Sequence, residues 1–180
     1  KVRSHAPYRI EHVDVPWNGT VVSGNLHLAP GEGAKPLVFY VPGCDQTKEA
    51  WPHPYYNQAL QRGMHVFSFD GPGQGESNLR GIRLTDDNYE DAAGAVIDTL
   101  MKRKEVDAKK IGVYALSFGS FWGMRIAARN RHIAAAAAPW NRDPAHRQDA
   151  AVPDPLRDRH RVDALRVLGP GEPAAGAGRG

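Results

Sequence analysis

Gly112-Val-Tyr-Ala-Leu-Ser-Phe-Gly-Ser-Phe-Trp-Gly123 is the stretch that decides the reading of this chain. Ile111-Gly-Val-Tyr-Ala115 is a short apolar run, the pattern of a strand covered on both faces. Phe118 to Ala128 has helical character. Ser117 stands where one element gives way to the other. A serine on so sharp a strand-to-helix turn sits on strained backbone, and the residues two before and two after it must be small. Here they are Ala115 and Gly119. Such a turn lifts the hydroxyl off the sheet edge. The next amide, on Phe118, falls at a helix N-terminus, where N–H groups lack internal partners and can face a developing oxyanion.

Two more apolar runs precede this one, Pro36-Leu-Val-Phe-Tyr-Val41 and Met64-His-Val-Phe-Ser-Phe69. Both predict buried strands. Between them, Tyr55 to Arg62 predicts a short helix ended by Gly63. Asn88 to Lys104 predicts a longer helix. Tyr89, Ala93, Val96, Ile97, Leu100 and Met101 share one of its faces. Asp87 and Glu90 have capping-box spacing at its start, and Lys102, Arg103 and Lys104 suit its negative end. Asp107 to Lys110 is expected to be a polar connection, and Ile133 to Ala138 a fourth strand with a weaker pattern than the other three. Nearer the start, Tyr8 to Val15 and Thr20 to Leu28 flank Asn18-Gly19 and predict an antiparallel hairpin. The alternation of strands and helices predicts an α/β fold, a mostly parallel sheet with helices on both faces. In such sheets function collects where strands end at their carboxyl side. Those ends fall at Pro42, Asp70 and Leu116.

All three ends are chemically unusual. Ala115-Leu-Ser-Phe-Gly119 resembles the nucleophile elbow of the α/β-hydrolase fold, G-x-S-x-G, with Ala for the first Gly. Asp70-Gly-Pro-Gly-Gln-Gly-Glu-Ser77, expected to be an irregular loop, resembles the D-x-x-G-x-G-x-S loop after that fold's fourth strand. Val41-Pro-Gly-Cys-Asp45 stands in the place of its oxyanion loop. The nearest resemblance is to the FrsA-like and dienelactone-hydrolase-like esterases, a group that includes carbon–carbon bond hydrolases of aromatic ketones. The resemblance implies an acyl-forming nucleophile at Ser117, an oxyanion hole from the backbone N–H groups of Phe118 and Cys44, and an acidic residue, Asp45, beside the site. It implies a small-molecule ester, thioester, amide or activated C–C bond as substrate. The alternative on the same fold is a non-catalytic remnant or binding protein.

Other chemistry fits less well. Gly71, Gly73 and Gly75 could cradle a phosphate, but Pro72 removes a backbone donor and no Lys-Ser/Thr follows. Cys44 as a nucleophile would lack a helix start behind it, so a small buried filler or an oxyanion-loop residue is the better reading. His27, His53 and His65 show no metal-ligand spacing, and no metal or cofactor is expected. Trp51, Trp122 and Trp140 read as packing residues, since no basic groove accompanies them.

The 180 residues suit one domain. A net charge of +3 gives no case for nucleic acid or an anionic membrane. No run of apolar residues is long enough to span a bilayer, and the start has no apolar leader segment. One cysteine, Cys44, rules out an internal disulfide and suits a reducing, cytoplasmic setting.

In this fold the triad acid and histidine follow the serine in the chain. After Trp140 the composition changes: 24 of the 40 residues from Asn141 to Gly180 are Ala, Gly, Pro or Arg. Val162, Leu165, Val167 and Leu168 give at most one short helical face. Such a segment buries too little apolar area to offset its ordering entropy. The expectation is a partial hydrolase domain over residues 1–140 and a disordered or aberrant tail over 141–180, as from a truncation or frameshift. The triad acid and His are unassigned; Asp143, Asp149, Asp154, Asp158, His146 and His160 are available but end no recognisable strand. An uncovered sheet edge beyond Ile133 to Ala138 would favour a homodimer. The tail's seven arginines are nearly offset by its acids, which argues against nucleic-acid binding.

Overall fold

The computed structural model describes residues 5–139. The expectations for 140–180, including the helical face at Val162 to Leu168, lie outside the described residues. The chain opens with a hairpin, β1 (Ile10–Trp17) and β2 (Thr20–His27). Asn18 and Gly19 both adopt positive φ, 46° and 71°, as a two-residue hairpin turn requires. Then come β3 (Lys35–Val41), α1 (Gln58–Gln61), β4 (His65–Asp70), α2 (Gly75–Leu79), α3 (Asn88–Met101), β5 (Val106–Ala115), α4 (Gly119–Arg129) and β6 (Ile133–Ala137).

One six-stranded sheet runs β1-β2-β4-β3-β5-β6. β2 pairs antiparallel with β1 and β4, whereas β4, β3, β5 and β6 are mutually parallel. The strand order explains where a ligand should bind. From β3 the chain steps one way to β4, and from β4 it crosses back over β3 to β5. At such a reversal, folds of this kind hold their ligands at the carboxyl ends of the two strands, here β3 and β5.

Side-chain alternation splits the core into two layers. Phe39, Phe67, Phe69, Val41 and Val113 point to the face covered by α3 and α4, where they meet Tyr89, Val96, Ile97, Leu100, Trp122 and Ile126. Val38, Tyr40 and Val66 point to the other face and meet Ala59 and Leu60 of α1 with Met64. Helices therefore cover both faces, as the sequence predicts.

Several elements depart from expectation. The helix expected over Tyr55 to Arg62 is only the single turn Gln58–Gln61. Asn57 starts it there by accepting a hydrogen bond from Leu60 N–H at 3.1 Å. The irregular loop expected over 70–77 contains a helix start, because Gly73 and Gly75 (φ 83° and 40°) turn the chain before α2 begins. The polar stretch Asp107 to Lys110 is the first half of β5, with Lys109 and Lys110 exposed. The capping box at Asp87 and Glu90 does not form. The Asp87 side chain makes no cap hydrogen bond. The Glu90 carboxylate is buried and pairs with Arg125 and, at 3.4 Å, with Arg129 of α4. A tertiary ion pair has taken the residue that local pattern assigned to a cap.

Candidate active site at the β3–β5 crevice

β3 and β5 end side by side. Val41 and Ala115 are register partners, and Leu116 N–H donates to the Val41 carbonyl at 3.2 Å. Ser117 follows with φ 55°, left-handed backbone that costs a serine about 1 kcal/mol. Apart from the hairpin Asn18, it is the one non-glycine residue with positive φ among the described residues. The strain lifts an exposed hydroxyl clear of the sheet edge. Its Oγ has no hydrogen-bond partner among the described residues. Phe118, with φ −58° and ψ −30°, already has helical backbone, and α4 starts at Gly119.

Packing explains the small residues around the serine. A β-carbon built on Gly119 would sit 2.3 Å from the Pro42 carbonyl oxygen, so only glycine lets α4 start there. A β-carbon on Gly123 would sit 2.4 Å from Ala115 Cβ. The methyl that Ala115 adds to the elbow is accommodated by the glycine one helical turn further on.

The turn after β3 lies directly against Ser117. A β-carbon on buried Gly43 would be 3.2 Å from Ser117 Cβ and 3.4 Å from the Leu116 carbonyl oxygen. Cys44 and Asp45 follow on the exposed side, with the thiol donating to Asp45 Oδ2 at 3.5 Å. The backbone N–H groups of Cys44 and Phe118 make no hydrogen bond among the described residues. Ser117 and Phe118 on one side, and Cys44 and Asp45 on the other, thus belong to two adjoining turns, those after β5 and β3.

Residues that the sequence does not announce support this turn. Gln46 Oε1 accepts from the Gly43 N–H at 3.2 Å and from the Tyr40 hydroxyl at 2.9 Å. Burial, and Tyr114 nearby, push the Tyr40 phenol up to about 12, so it stays protonated and donates. Gln74 Nε2 donates to the Gly43 carbonyl at 2.8 Å. Gln74 Oε1 accepts from the Tyr89 hydroxyl at 2.6 Å. Burial holds the Tyr89 phenol well above its ordinary range.

Below the turn is a buried ion pair. Asp70 is fully buried and accepts from Lys48 N–H at 2.7 Å, Lys48 Nζ at 2.8 Å and Glu76 N–H at 3.0 Å. Burial alone would lower the Lys48 ammonium, but hydrogen bonds to Asp70, Glu49 and Glu76 raise it overall. The pair ties the loop after β3 to the loop after β4. The Asp70-Gly-Pro-Gly stretch hints at it, but nothing local marks Lys48.

His12, Asp14 and Glu76 offer ligand atoms within 4.8 Å of one another. Two cations already stand against the carboxylates: Lys48 lies 3.1 Å from Glu76, and Arg80 lies 3.4 Å from both Asp14 and Glu76. His132, the histidine after Ser117 among the described residues, precedes β6. In a parallel sheet that is the end opposite Ser117. No helix of the described residues is long and apolar enough to cross a membrane.

Comparison with known proteins agrees with this architecture. The chain matches the Alpha/beta hydrolase family over residues 38–178. It is 36% identical over 110 residues to 2,6-dihydropseudooxynicotine hydrolase of Paenarthrobacter nicotinovorans, covering 61% of this chain and 29% of that protein. It is 33% identical over 137 residues to the alpha/beta hydrolase gkaG of Penicillium citrinum, covering 70% and 32%. The crystal structure of 2,6-dihydroxy-pseudo-oxynicotine hydrolase superposes with a TM-score of 0.62 at 30% identity, covering 69% of this chain and 35% of that one. The carboxylesterase EstE1 superposes with a TM-score of 0.62 at 16% identity, over 74% and 47%, and shows the shared fold alone. The chain spans about a third of the length of the curated relatives it matches. A profile matched across most of the sequence and a sheet of this order lead to one assignment: the chain belongs to the alpha/beta hydrolase family, a family of enzymes.

Proposed function

We propose that this chain carries the nucleophile half of a serine hydrolase. Its substrate is a small molecule with an ester, thioester, amide or activated C–C bond, and the setting is the cytoplasm. One observation carries the proposal: an exposed Ser117 at φ 55° between a buried strand and a helix, against the Gly43 turn. Ser117 Oγ attacks the substrate carbonyl. The N–H groups of Phe118 and Cys44 stabilise the resulting oxyanion, a contribution worth about 3 kcal/mol per donor in such sites. The intermediate expels an alcohol, thiol, amine or carbanion, which takes up a proton and leaves an acyl-enzyme that water hydrolyses. Asp45 lies beside the site as the acidic residue. The triad acid and His remain unassigned; His146 and His160 lie outside the described residues.

The position of His132 favours a second reading, a non-catalytic remnant or binding protein on the same fold, since among the described residues no histidine hydrogen-bonds to Ser117. A fluorophosphonate probe separates the two. Labelling of the full chain that disappears in Ser117→Ala supports the hydrolase; no labelling of the unaltered chain supports the binding protein.

The same proposal treats residues 1–140 as a partial domain and 141–180 as a separate tail. A downstream reading frame at the locus that encodes further strands would support it, and its absence would count against it.

A further inference from the structure

We infer that Gln74, backed by Tyr89, is a positioning residue that fixes the orientation of the Gly43–Cys44 peptide and keeps the Cys44 N–H available to the crevice. The inference rests on the serine-hydrolase reading above and assigns roles to two residues outside the elbow.

The argument starts from one peptide plane. The Gly43 carbonyl accepts two hydrogen bonds, from Gln74 Nε2 at 2.8 Å and from Gln46 N–H at 3.2 Å. Both of its lone pairs are therefore in use. In a trans peptide the following N–H points to the opposite side. That N–H belongs to Cys44 and has no partner among the described residues. The Gly43 N–H, one peptide earlier, is held separately by Gln46 Oε1 at 3.2 Å. Both polar groups of Gly43 are thus held, and among the described residues the Cys44 N–H next to them is left unbonded.

The pinning opposes a specific failure. Gly43 has no side chain, so the Gly43–Cys44 peptide can rotate at little steric cost. Rotation would turn an acceptor, the Gly43 carbonyl, toward the crevice and present like charge to an oxyanion. Gln74 blocks this by holding the carbonyl back. Gln74 is in turn held by the Tyr89 hydroxyl at 2.6 Å. Tyr89 is buried, stacks on Trp122 with ring centroids 5.2 Å apart, and meets Phe69 edge-on at 5.6 Å. Its hydroxyl cannot wander, so the glutamine amide has one orientation. Helix α3 thereby reaches the site through Tyr89, and the fifth residue of Asp70-Gly-Pro-Gly-Gln-Gly-Glu-Ser77 gains a role beyond turning the chain.

The test uses the full 180-residue chain and two variants, Gln74→Met and Tyr89→Phe. The first keeps length and removes the donor; the second keeps the ring and removes the hydroxyl. Two readouts are taken: the second-order rate of fluorophosphonate labelling at Ser117, and amide hydrogen exchange at Gln46, whose N–H donates to the Gly43 carbonyl, with α3 amides as internal control. Gln74→Met should slow labelling at least about tenfold, up to the roughly hundredfold of losing one oxyanion donor outright, and Tyr89→Phe several-fold. Gln46 exchange should rise in both while α3 protection stays. Labelling within about twofold of the unaltered chain, or unchanged Gln46 exchange, would overturn the inference. If the unaltered chain does not label at all, the nucleophile reading fails on its own, and Gln46 exchange still decides the positioning role. If Gln74→Met loses α3 protection globally, Tyr89→Phe decides.

Discussion

A methyl group has changed sides at the elbow. Ala115 carries on the strand a carbon that Gly123 lacks on the helix, and a β-carbon at 123 would lie 2.4 Å from it. Gly123→Ala gains about 1 kcal/mol of helix propensity. It also forces a clash far inside van der Waals contact, and overpacking of this kind costs about 1–3 kcal/mol. The clash should win, so urea unfolding of Gly123→Ala should show net destabilisation. Adding Ala115→Gly should recover most of it, and a neutral Gly123→Ala would contradict this packing. Ser117 offers a second residue-scale check. Its left-handed backbone is strained for any side chain, so Ser117→Gly should be more stable than Ser117→Ala by about 0.5–1 kcal/mol while both lose labelling. Equal stability would mean that the strain is not there.

At the scale of elements, the loops after β3 and β4 are tied by Lys48 and Asp70. Removing one member of a buried pair leaves the other charged and uncompensated, at a cost of about 3–5 kcal/mol. Lys48→Met should therefore lower the urea midpoint sharply. The double variant Lys48→Met/Asp70→Asn, which removes the second charge and keeps an acceptor for the backbone N–H groups, should be less damaged than Lys48→Met alone, and equal damage would exclude charge as the cause. This tie also shows what the sequence could reveal. The three buried strands, the Asn18–Gly19 turn and the elbow were legible because apolar runs, turn residues and small neighbours are local signals. The Gln58–Gln61 turn was shorter than expected because Asn57 caps it late. Glu90 was misread because its partners, Arg125 and Arg129, lie on another helix. Lys48, Gln46, Gln74 and Tyr89 were invisible as site residues for the same reason. A polar side chain far away in sequence carries no periodicity that betrays its partner.

Across the whole molecule, pH should act through buried histidines. Burial pushes His27 down from 6.5 to about 4, and burial also lowers His65, which accepts from Ala29 N–H at 2.9 Å. The unfolded chain takes up these protons first. Stability is then greatest above about pH 6.5 and falls, by a few kcal/mol for His27, as pH drops to about 4. Thermal melts of the unaltered chain should show that slope, and His27→Gln should flatten it; an unchanged slope would remove His27 from the account. The sheet supplies another whole-molecule expectation. Among the described residues β6 has one hydrogen-bonded neighbour, β5. An unpaired strand edge invites pairing with a second copy. Sedimentation should show a species that grows with concentration, and a monomer at every concentration would refute the proposed homodimer.

The turn bearing Gly43 also carries the chain's single thiol, and Cys44 is exposed. An environment-sensitive fluorophore attached to that sulfur would stand at the mouth of the crevice without competition from any other cysteine. Its emission would register a guest molecule entering, whether or not a bond is ever broken, and would let affinity be measured apart from turnover.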